Sequence, residues 1–281
     1  MRNILVFQSD FGLVDGAVAA MYGVAFSVDK NIKAYDLTHD ISPYNIWEAS
    51  YRLFQAIEYW PEGTVFVSVI DPGVGSARRS VVVKTKNGQY VVTPDNGTLT
   101  HLKKYVGVEE IREIEENKHR RKGTQHSYTF HGRDVYAYTG AKLAAGVITF
   151  QDVGDALSVK DIVEINMGKI ETTEQSIKGS IDILDVRFGS LWTNIQREEF
   201  VKVGFEFGDR VEVVIRNGDR LIYNNRILFG KSFADVHVSE QIIYVNSLFR
   251  IAIAINQGNF AKAYNVGTGS HWTVEFKKIE D

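Results

Sequence analysis

The feature that most constrains the fold of this chain is the nearly continuous apolar run from Thr64 to Ile70, which is rich in β-branched residues. Such a run is typical of a strand that is covered on both faces, as strands are in α/β sheets. Apolar residues recur at helical spacing before it, between residues 46 and 57 and again between residues 18 and 28. The run therefore predicts an α/β sheet, and ligands bind such sheets at the carboxyl ends of the strands.

The alternation of short apolar runs with helical spacing continues along the first part of the chain. Beyond about residue 178 helical spacing fades out, and short strands joined by tight turns take over. Asn217-Gly218 after the apolar run 211–216 is a strong hairpin signal. We therefore predict an N-terminal α/β sheet domain with flanking helices over residues 1–165. A smaller C-terminal all-β domain, a barrel or a sandwich, is predicted over residues 175–281.

Composition narrows the class of protein. The 281 residues are 44% hydrophobic and 24% charged, which is typical of a soluble globular protein. The formal net charge of −3 gives no electrostatic reason to expect a nucleic acid partner. The absence of cysteine excludes disulfides and thiolate catalysis. The first apolar run is too short for a signal peptide and no stretch is long enough to span a membrane, so we expect a cytoplasmic protein without a membrane partner.

Four polar loops share one pattern, in which a charged or polar side chain stands beside glycine. They are Ser9-Asp10-Phe11-Gly12, Asp71-Pro72-Gly73-Val74-Gly75, Pro94-Asp95-Asn96-Gly97 and Phe130-His131-Gly132-Arg133-Asp134. The first three directly follow predicted strands, and loops at neighbouring strand ends converge on one edge of a sheet. Each loop alone is typical of an ordinary turn. An ordinary turn does not require a charged side chain. The four residues Asp10, Asp71, Arg78 and His131 together therefore predict a functional site.

Several known chemistries fit the sequence less well. Gly73-Val74-Gly75 lacks the residues that complete a P-loop or a dinucleotide fingerprint. A divalent metal is an alternative, held by an Asp/His cluster as in a metal-dependent phosphohydrolase. Its ligands would be Asp10, Asp15, Asp71, Asp95 and His131. Arg78 would compete with the cation for the same space. The basic run 119–122 is interpreted as a charged surface loop.

The four loops, in this order and including Asp71 to Arg79, resemble the S-adenosylmethionine (SAM) hydroxide adenosyltransferases, also called SAM hydrolases. The bacterial fluorinase and chlorinase are distant relatives of that family. The similarity continues at residues 184–195 and 245–247, which look like the family's methionine-binding segments. It covers almost the whole chain, and the set of motifs is specific.

The resemblance implies hydrolysis of SAM to adenosine and L-methionine, with water or hydroxide attacking the ribose C5′ carbon and no metal or cofactor taking part. The family's catalytic triad of Asp, Arg and His falls on Asp71, Arg78 and His131. Which of Asp71 and His131 takes the proton stays open. Val74 and Gly132 stand where the halogenases build their halide site, so the resemblance does not favour a fluoride-using enzyme.

The resemblance also implies binding residues. Asp10 is expected to accept hydrogen bonds from the ribose hydroxyls, and Asp185 to pair with the methionine ammonium. Asn246 and Ser247 offer donors near the methionine carboxylate. The remaining predicted contacts are Phe188 and Trp192, which are alternatively core aromatics, and Ser190, which stands where relatives more often have Asn.

The last implication concerns assembly. The family forms a homotrimer with active sites between subunits, the N-terminal domain of one subunit facing the C-terminal domain of the next. We expect the same for this chain.

A third interpretation is a protein that binds adenosine or SAM without turnover.

Overall fold

The computed structural model describes residues 3–279. The chain forms two compact units, of which the first ends at Ile165 and the second begins at Asn166. Among the described residues no helix combines the length and the apolar character needed to cross a membrane.

The first unit contains a mixed seven-stranded sheet. Its strands are β1 (Ile4–Ser9), β2 (Lys33–Thr38), β3 (Val65–Val69), β4 (Ser80–Thr85), β5 (Tyr90–Pro94), β6 (Val108–Glu113) and β7 (Ala156–Leu157). Their order in the sheet is β2-β1-β3-β5-β4-β6-β7. The first four strands in this order run parallel, and β4, β6 and β7 pair antiparallel. The carboxyl ends of β1 and β3 are therefore neighbours at one edge of the sheet.

Helices cover both faces of this sheet, as the run at Thr64 to Ile70 predicts. They are α1 (Ala17–Val28), α2 (Ile46–Ile57), α3 (Thr100–Tyr105), α4 (Glu116–His119) and α5 (Tyr138–Ala144), the last preceded by a π-helical turn at Gly132–Ala137. Val65 and Val67 of β3 pack into one core with α1 and α5, whereas Phe66 packs into the other core with α2 and α3. The predicted α/β sheet is confirmed.

Two glycines let the π-helical turn and α5 lie directly against β3. A Cβ atom on Gly140 would stand 2.4 Å from a methyl group of Val67, and one on Gly132 would stand 2.9 Å from Val69. Only a residue without a side chain allows this close approach. It brings His131, the residue before Gly132, to the carboxyl end of β3.

The second unit is a closed barrel. Its strands are β8 (Glu171–Thr172), β9 (Ser176–Leu184), β10 (Leu191–Gln196), β11 (Arg210–Asn217), β12 (Arg220–Phe229), β13 (Gln241–Val245), β14 (Arg250–Ile255) and β15 (Gly269–Lys277). The order is β10-β14-β13-β12-β11-β15-β9-β8, and an additional pairing of β10 with β9 closes seven of the strands into a barrel. The predicted hairpin at Asn217-Gly218 joins β11 to β12.

The barrel also carries two helices where the sequence predicts none. They are α6 (Arg197–Val203) and α7 (Phe260–Tyr264), with 7 and 5 residues. Segments of one or two turns are too short to show a helical period in the sequence. Their aromatic residues nevertheless complete the barrel core, since Phe200 and Phe260 are fully buried.

Candidate active site

A cleft of about 360 Å³ lies at the carboxyl ends of β1 and β3. Three of the four predicted loops contribute to its wall. Its lining includes Asp10, Phe11, Asp71, Val74, Phe130 and His131, together with Tyr44 from the segment before α2. The structure therefore brings Asp10, Asp71 and His131, which come from three different loops, to one cleft.

Asp71 and Arg78 form a bidentate ion pair beside this cleft. Arg78 Nε lies 3.0 Å from Asp71 Oδ1, and Arg78 Nη2 lies 2.7 Å from Asp71 Oδ2. The Tyr136 hydroxyl also donates to Asp71 Oδ2, at 3.3 Å. Burial works to lower the pKa of Arg78, but the hydrogen bond to Asp71 and the nearby anionic groups outweigh it and raise that pKa. Arg78 thus supplies a fixed positive charge beside the cleft, and both oxygens of its carboxylate partner already accept hydrogen bonds.

His131 is 3% exposed and lines the same cleft. Its Nε2 atom lies 2.8 Å from Arg120 Nη2 and 3.3 Å from Glu116 Oε2. Its Nδ1 atom is buried and has no hydrogen-bond partner among the described residues. One ring nitrogen is therefore held by two charged side chains, and the other makes no hydrogen bond within the described residues.

Glu116 connects His131 to the Asp71–Arg78 pair. The Ser80 hydroxyl donates to Glu116 Oε1 at 2.7 Å, and Arg78 Nη1 donates to Ser80 Oγ at 3.0 Å. The hydrogen bond from His131 is the main cause that lowers the pKa of Glu116 to about 2; burial opposes it, and bonds from Ser80 and Arg120 add to it. Glu116 is therefore a carboxylate at neutral pH.

Sequence reasoning missed Glu116, Ser80, Tyr136 and Arg120. Arg120 belongs to the basic run 119–122, which the sequence analysis interprets as a charged surface loop. That interpretation is wrong for half of the run, because the Arg120 side chain is 9% exposed and His119 is fully buried. His119 hydrogen-bonds the Asp152 carbonyl and the Lys142 ammonium. Arg121 and Lys122 are exposed, as predicted.

Asp10 is held by the segment that follows β2. One of its carboxylate oxygens accepts a hydrogen bond from the Tyr44 backbone N–H at 2.9 Å. The preceding Ser9 hydroxyl bonds His39 Nδ1 at 2.7 Å, and His39 Nε2 bonds Asp36 at 2.8 Å. The Gly12 N–H donates to the His39 carbonyl. These bonds fix the loop that presents Asp10 to the cleft.

The loop at Asp95 does not contribute to the lining of the cleft. Asp95 is buried, pairs with Arg79 and accepts the Val163 N–H at 3.0 Å. Its neighbour Asn96 donates to the Ile70 carbonyl at 2.9 Å and so braces the chain just before Asp71. This loop supports the site without giving the cleft a carboxylate.

The cluster required by the metal alternative is not assembled. Asp95 is paired with Arg79, and Asp15 accepts the Ala17 N–H at the start of α1. Among residues 3–279 no three or more His, Asp or Glu side chains are grouped so that they could hold a metal ion. The metal-dependent phosphohydrolase has no donor set in this part of the chain.

The second unit has a cleft of its own, of about 710 Å³. Asp185, Phe188 and Ser190 line it, as do Tyr244 and the turn 256–259. Asp185 accepts the backbone N–H groups of Arg187 and Phe188. Phe188 is 67% exposed, which is not the environment of a core aromatic.

The other predicted contacts of the second unit lie outside this lining. Trp192 is buried and donates its indole N–H to the Tyr244 hydroxyl at 3.2 Å. Asn246 is buried and its side-chain oxygen accepts the N–H groups of Leu248 and Arg250. Ser247 is exposed. The turn 256–259 was not predicted, because no motif distinguishes it from the end of the preceding strand.

Both units of the chain are similar to known proteins. Residues 5–154 match the family model of the SAM hydroxide adenosyltransferase N-terminal domain, and residues 179–273 match that of the C-terminal domain. An (R)-S-adenosyl-L-methionine hydrolase of Methanocaldococcus jannaschii is 35% identical over 94% of this chain and 92% of its own length. A Thermus thermophilus protein of the same name is 31% identical over 94% and 96%. A fluorinase of Actinopolyspora mzabensis is 27% identical over 95% of each chain.

Solved structures show the same architecture. An uncharacterized conserved protein from Thermotoga maritima superposes with a TM-score of 0.87 at 34% identity, covering 98% of this chain and 100% of its own. A conserved hypothetical protein from Thermus thermophilus gives a TM-score of 0.74 at 28% identity, with the same coverage.

Proposed function

Because the chain belongs to the SAM hydroxide adenosyltransferase family, we propose that it hydrolyses S-adenosyl-L-methionine to adenosine and L-methionine. The observation that carries this proposal is the cleft that Asp71 and His131 line, with Arg78 paired to Asp71 beside it. Relatives that are 31% and 35% identical over nearly their whole length are named SAM hydrolases.

The chemistry suits these side chains. Methionine leaves a sulfonium as a neutral thioether, so the difficult step is to obtain a nucleophile from water, whose free pKa is about 15.7. A fixed guanidinium in a water-poor site stabilises developing hydroxide without reorganising during the reaction. We assign this role to Arg78, and we assign to Asp71 and His131 the task of holding the water in line with the bond between C5′ and sulfur.

His131 is the better proton acceptor of the two. Both oxygens of Asp71 already accept hydrogen bonds from Arg78, and one of them accepts a third from Tyr136. Burial raises the pKa of Tyr136, so this phenol stays neutral and keeps donating. The Nδ1 atom of His131, by contrast, has no partner in the described part of the chain. We therefore assign the proton transfer to His131.

We assign substrate binding to both units. Asp10 is proposed to accept hydrogen bonds from the ribose hydroxyls, and Asp185 to pair with the methionine ammonium. Phe188 and Ser190, which line the same cleft as Asp185, are proposed to contact the amino acid end. Trp192, Asn246 and Ser247 complete the proposed methionine-binding set.

We further propose a homotrimer in which the first unit of one subunit and the second unit of the next form each active site. Its support is that each unit has a cleft lined by part of the predicted binding residues. The family resemblance points to the same assembly.

The test is to incubate the purified protein with SAM and to quantify adenosine and methionine by chromatography. We expect both products in equal amounts, and we expect Asp71→Asn, Arg78→Gln and His131→Ala each to lower kcat by about 10²–10⁴-fold. Asp15→Asn is the matched control and should keep full activity, whereas a metal site built on Asp15 would lose it. SAM that binds but stays intact would identify a binding protein instead.

A further inference from the structure

The three proposed catalytic residues belong to one continuous hydrogen-bonded chain, and Glu116 and Arg120 stand at its His131 end. The chain runs from Asp71 through Arg78 and Ser80 to Glu116. Arg120 Nη2 lies 2.9 Å from Glu116 Oε2, so the two side chains also bond each other. Arg120 Nη1 donates to the Ser127 carbonyl, which anchors its guanidinium.

The two partners of His131 Nε2 have opposite requirements. A guanidinium can only donate, so Arg120 bonds Nε2 when that nitrogen carries no proton. An ionised carboxylate can only accept, so Glu116 bonds Nε2 when that nitrogen carries a proton. In the neutral ring, the bond from Arg120 therefore places the ring proton on Nδ1, whereas the bond to Glu116 places it on Nε2 and leaves Nδ1 able to accept a proton.

We propose that Glu116 and Arg120 are positioning residues that act on His131 in opposite directions at Nε2: Glu116 holds the ring proton on Nε2, so that Nδ1 can take the proton of the attacking water, and Arg120 opposes this arrangement. This inference rests on the proposed SAM hydrolysis. In the step, one O–H bond of water breaks and its proton bonds to Nδ1. The oxygen forms its bond to C5′ while the electron pair of the C5′–S bond leaves with the methionine sulfur. The proton on Nε2 stays covalently bound to the ring and makes a hydrogen bond to Glu116 Oε2.

The charged and titratable groups around His131 come from four elements. They are Asp10 after β1, Asp71 and Arg78 between β3 and β4, Glu116 and Arg120 at α4, and Tyr136 in the π-helical turn. Of these, Glu116 and Arg120 are the ones whose side chains form an ion pair or a hydrogen bond with the His131 ring within residues 3–279. Their removal should therefore act on this ring first.

The experiment is the pH dependence of kcat for Glu116→Gln and Arg120→Gln. Turnover needs the neutral ring, so activity falls on the acidic side of the profile. Removing Glu116 destabilises the imidazolium and should move the acidic limb about one pH unit lower; removing Arg120 should move it about one unit higher. We expect Glu116→Gln to lower kcat by about 10–100-fold, with KM changed by less than about threefold because Glu116 is not among the residues that line the cleft.

Glu115→Gln and Arg121→Gln are matched controls, because they remove the same charges from exposed neighbours and should keep the wild-type profile. The Glu116→Asp and Arg120→Lys variants keep the charges and should keep the acidic limb of the profile at its wild-type pH. They distinguish an effect of the lost charge from an effect on folding. Limbs that do not move, or that move in the same direction, while the wild type releases adenosine would overturn this inference alone. A wild type that releases no adenosine from SAM would instead overturn the proposed function.

Discussion

At the scale of single residues, neighbouring side chains with the same chemistry are assigned to different tasks. Arg78 and Arg79 are adjacent just before β4, where successive side chains point to opposite faces. Arg78 binds Asp71 in the candidate site, and Arg79 binds the buried Asp95. The sequence predicts the Asp71 to Arg78 pattern. It could not predict that Asp95, whose loop has the same pattern, pairs with Arg79 and supports the fold. That pairing depends on which arginine lies next to Asp95 in the folded chain.

The ionisation of Glu116 gives a prediction about stability. Its pKa in the folded protein is lowered to about 2 from an ordinary 4.5, chiefly by the hydrogen bond from His131. A lowered pKa stabilises the folded state fully above pH 4.5, and this contribution is lost as the pH falls toward 2. We expect wild type to be more stable than Glu116→Gln at pH 7 and the difference to shrink below pH 4.5.

Urea unfolding of both proteins at several pH values between 3 and 7 measures that difference. The Glu115→Gln variant is the control and should follow the wild type throughout. A difference in the free energy of unfolding that stays constant down to pH 3 would show that folding does not lower the pKa of Glu116.

At the scale of elements, the long segments were predictable and the short ones were not. The strand β1 and the helix α2 follow directly from apolar spacing, and the hairpin β11–β12 follows from its Asn-Gly turn. The π-helical turn at Gly132–Ala137 was not predicted, because its geometry depends on packing against β3. The closure of the barrel by β9 and β10 is a tertiary pairing that local sequence does not encode.

The close contact of α5 with β3 can be tested by two Gly→Ala substitutions within helices. Gly140→Ala would place its Cβ 2.4 Å from a methyl group of the buried Val67, so we expect a loss of about 1–3 kcal/mol in the free energy of unfolding. Gly23→Ala in α1 meets nothing within 4 Å and should gain about 0.5–1 kcal/mol through helix propensity. Denaturant unfolding measures both, and equal effects would refute the packing argument.

At the scale of the whole molecule, the chain consists of two units with separate cores and separate clefts. The sequence predicts this division from the change in apolar spacing, and the family resemblance predicts the trimer. The binding residues of the second cleft were predictable only in part. Asp185, Phe188 and Ser190 belong to a recognisable motif, but the turn 256–259 reaches the cleft through barrel topology.

The trimer proposal leads to a complementation experiment. Asp71→Asn disables the first unit and Asp185→Ala the second, so each variant alone should be nearly inactive. If subunits share active sites, mixed trimers from co-expression contain sites built from two intact units. Random mixing should then restore about a quarter of the wild-type activity, since each half of a site is intact with probability one half. A site formed within one chain would show no recovery, and light scattering would confirm that three chains associate.

Closure of the barrel limits the kind of contact that the second unit can offer. Strands at an open sheet edge present rows of free amide and carbonyl groups, to which another polypeptide can add. Among the residues that the structure describes, the seven closed barrel strands have neighbours on both sides, and β8, the strand added outside β9, has only 2 residues. A further strand therefore finds no long open edge to pair with in this part of the chain. Contacts of this unit with other proteins depend instead on its exposed side chains, which can be substituted one at a time.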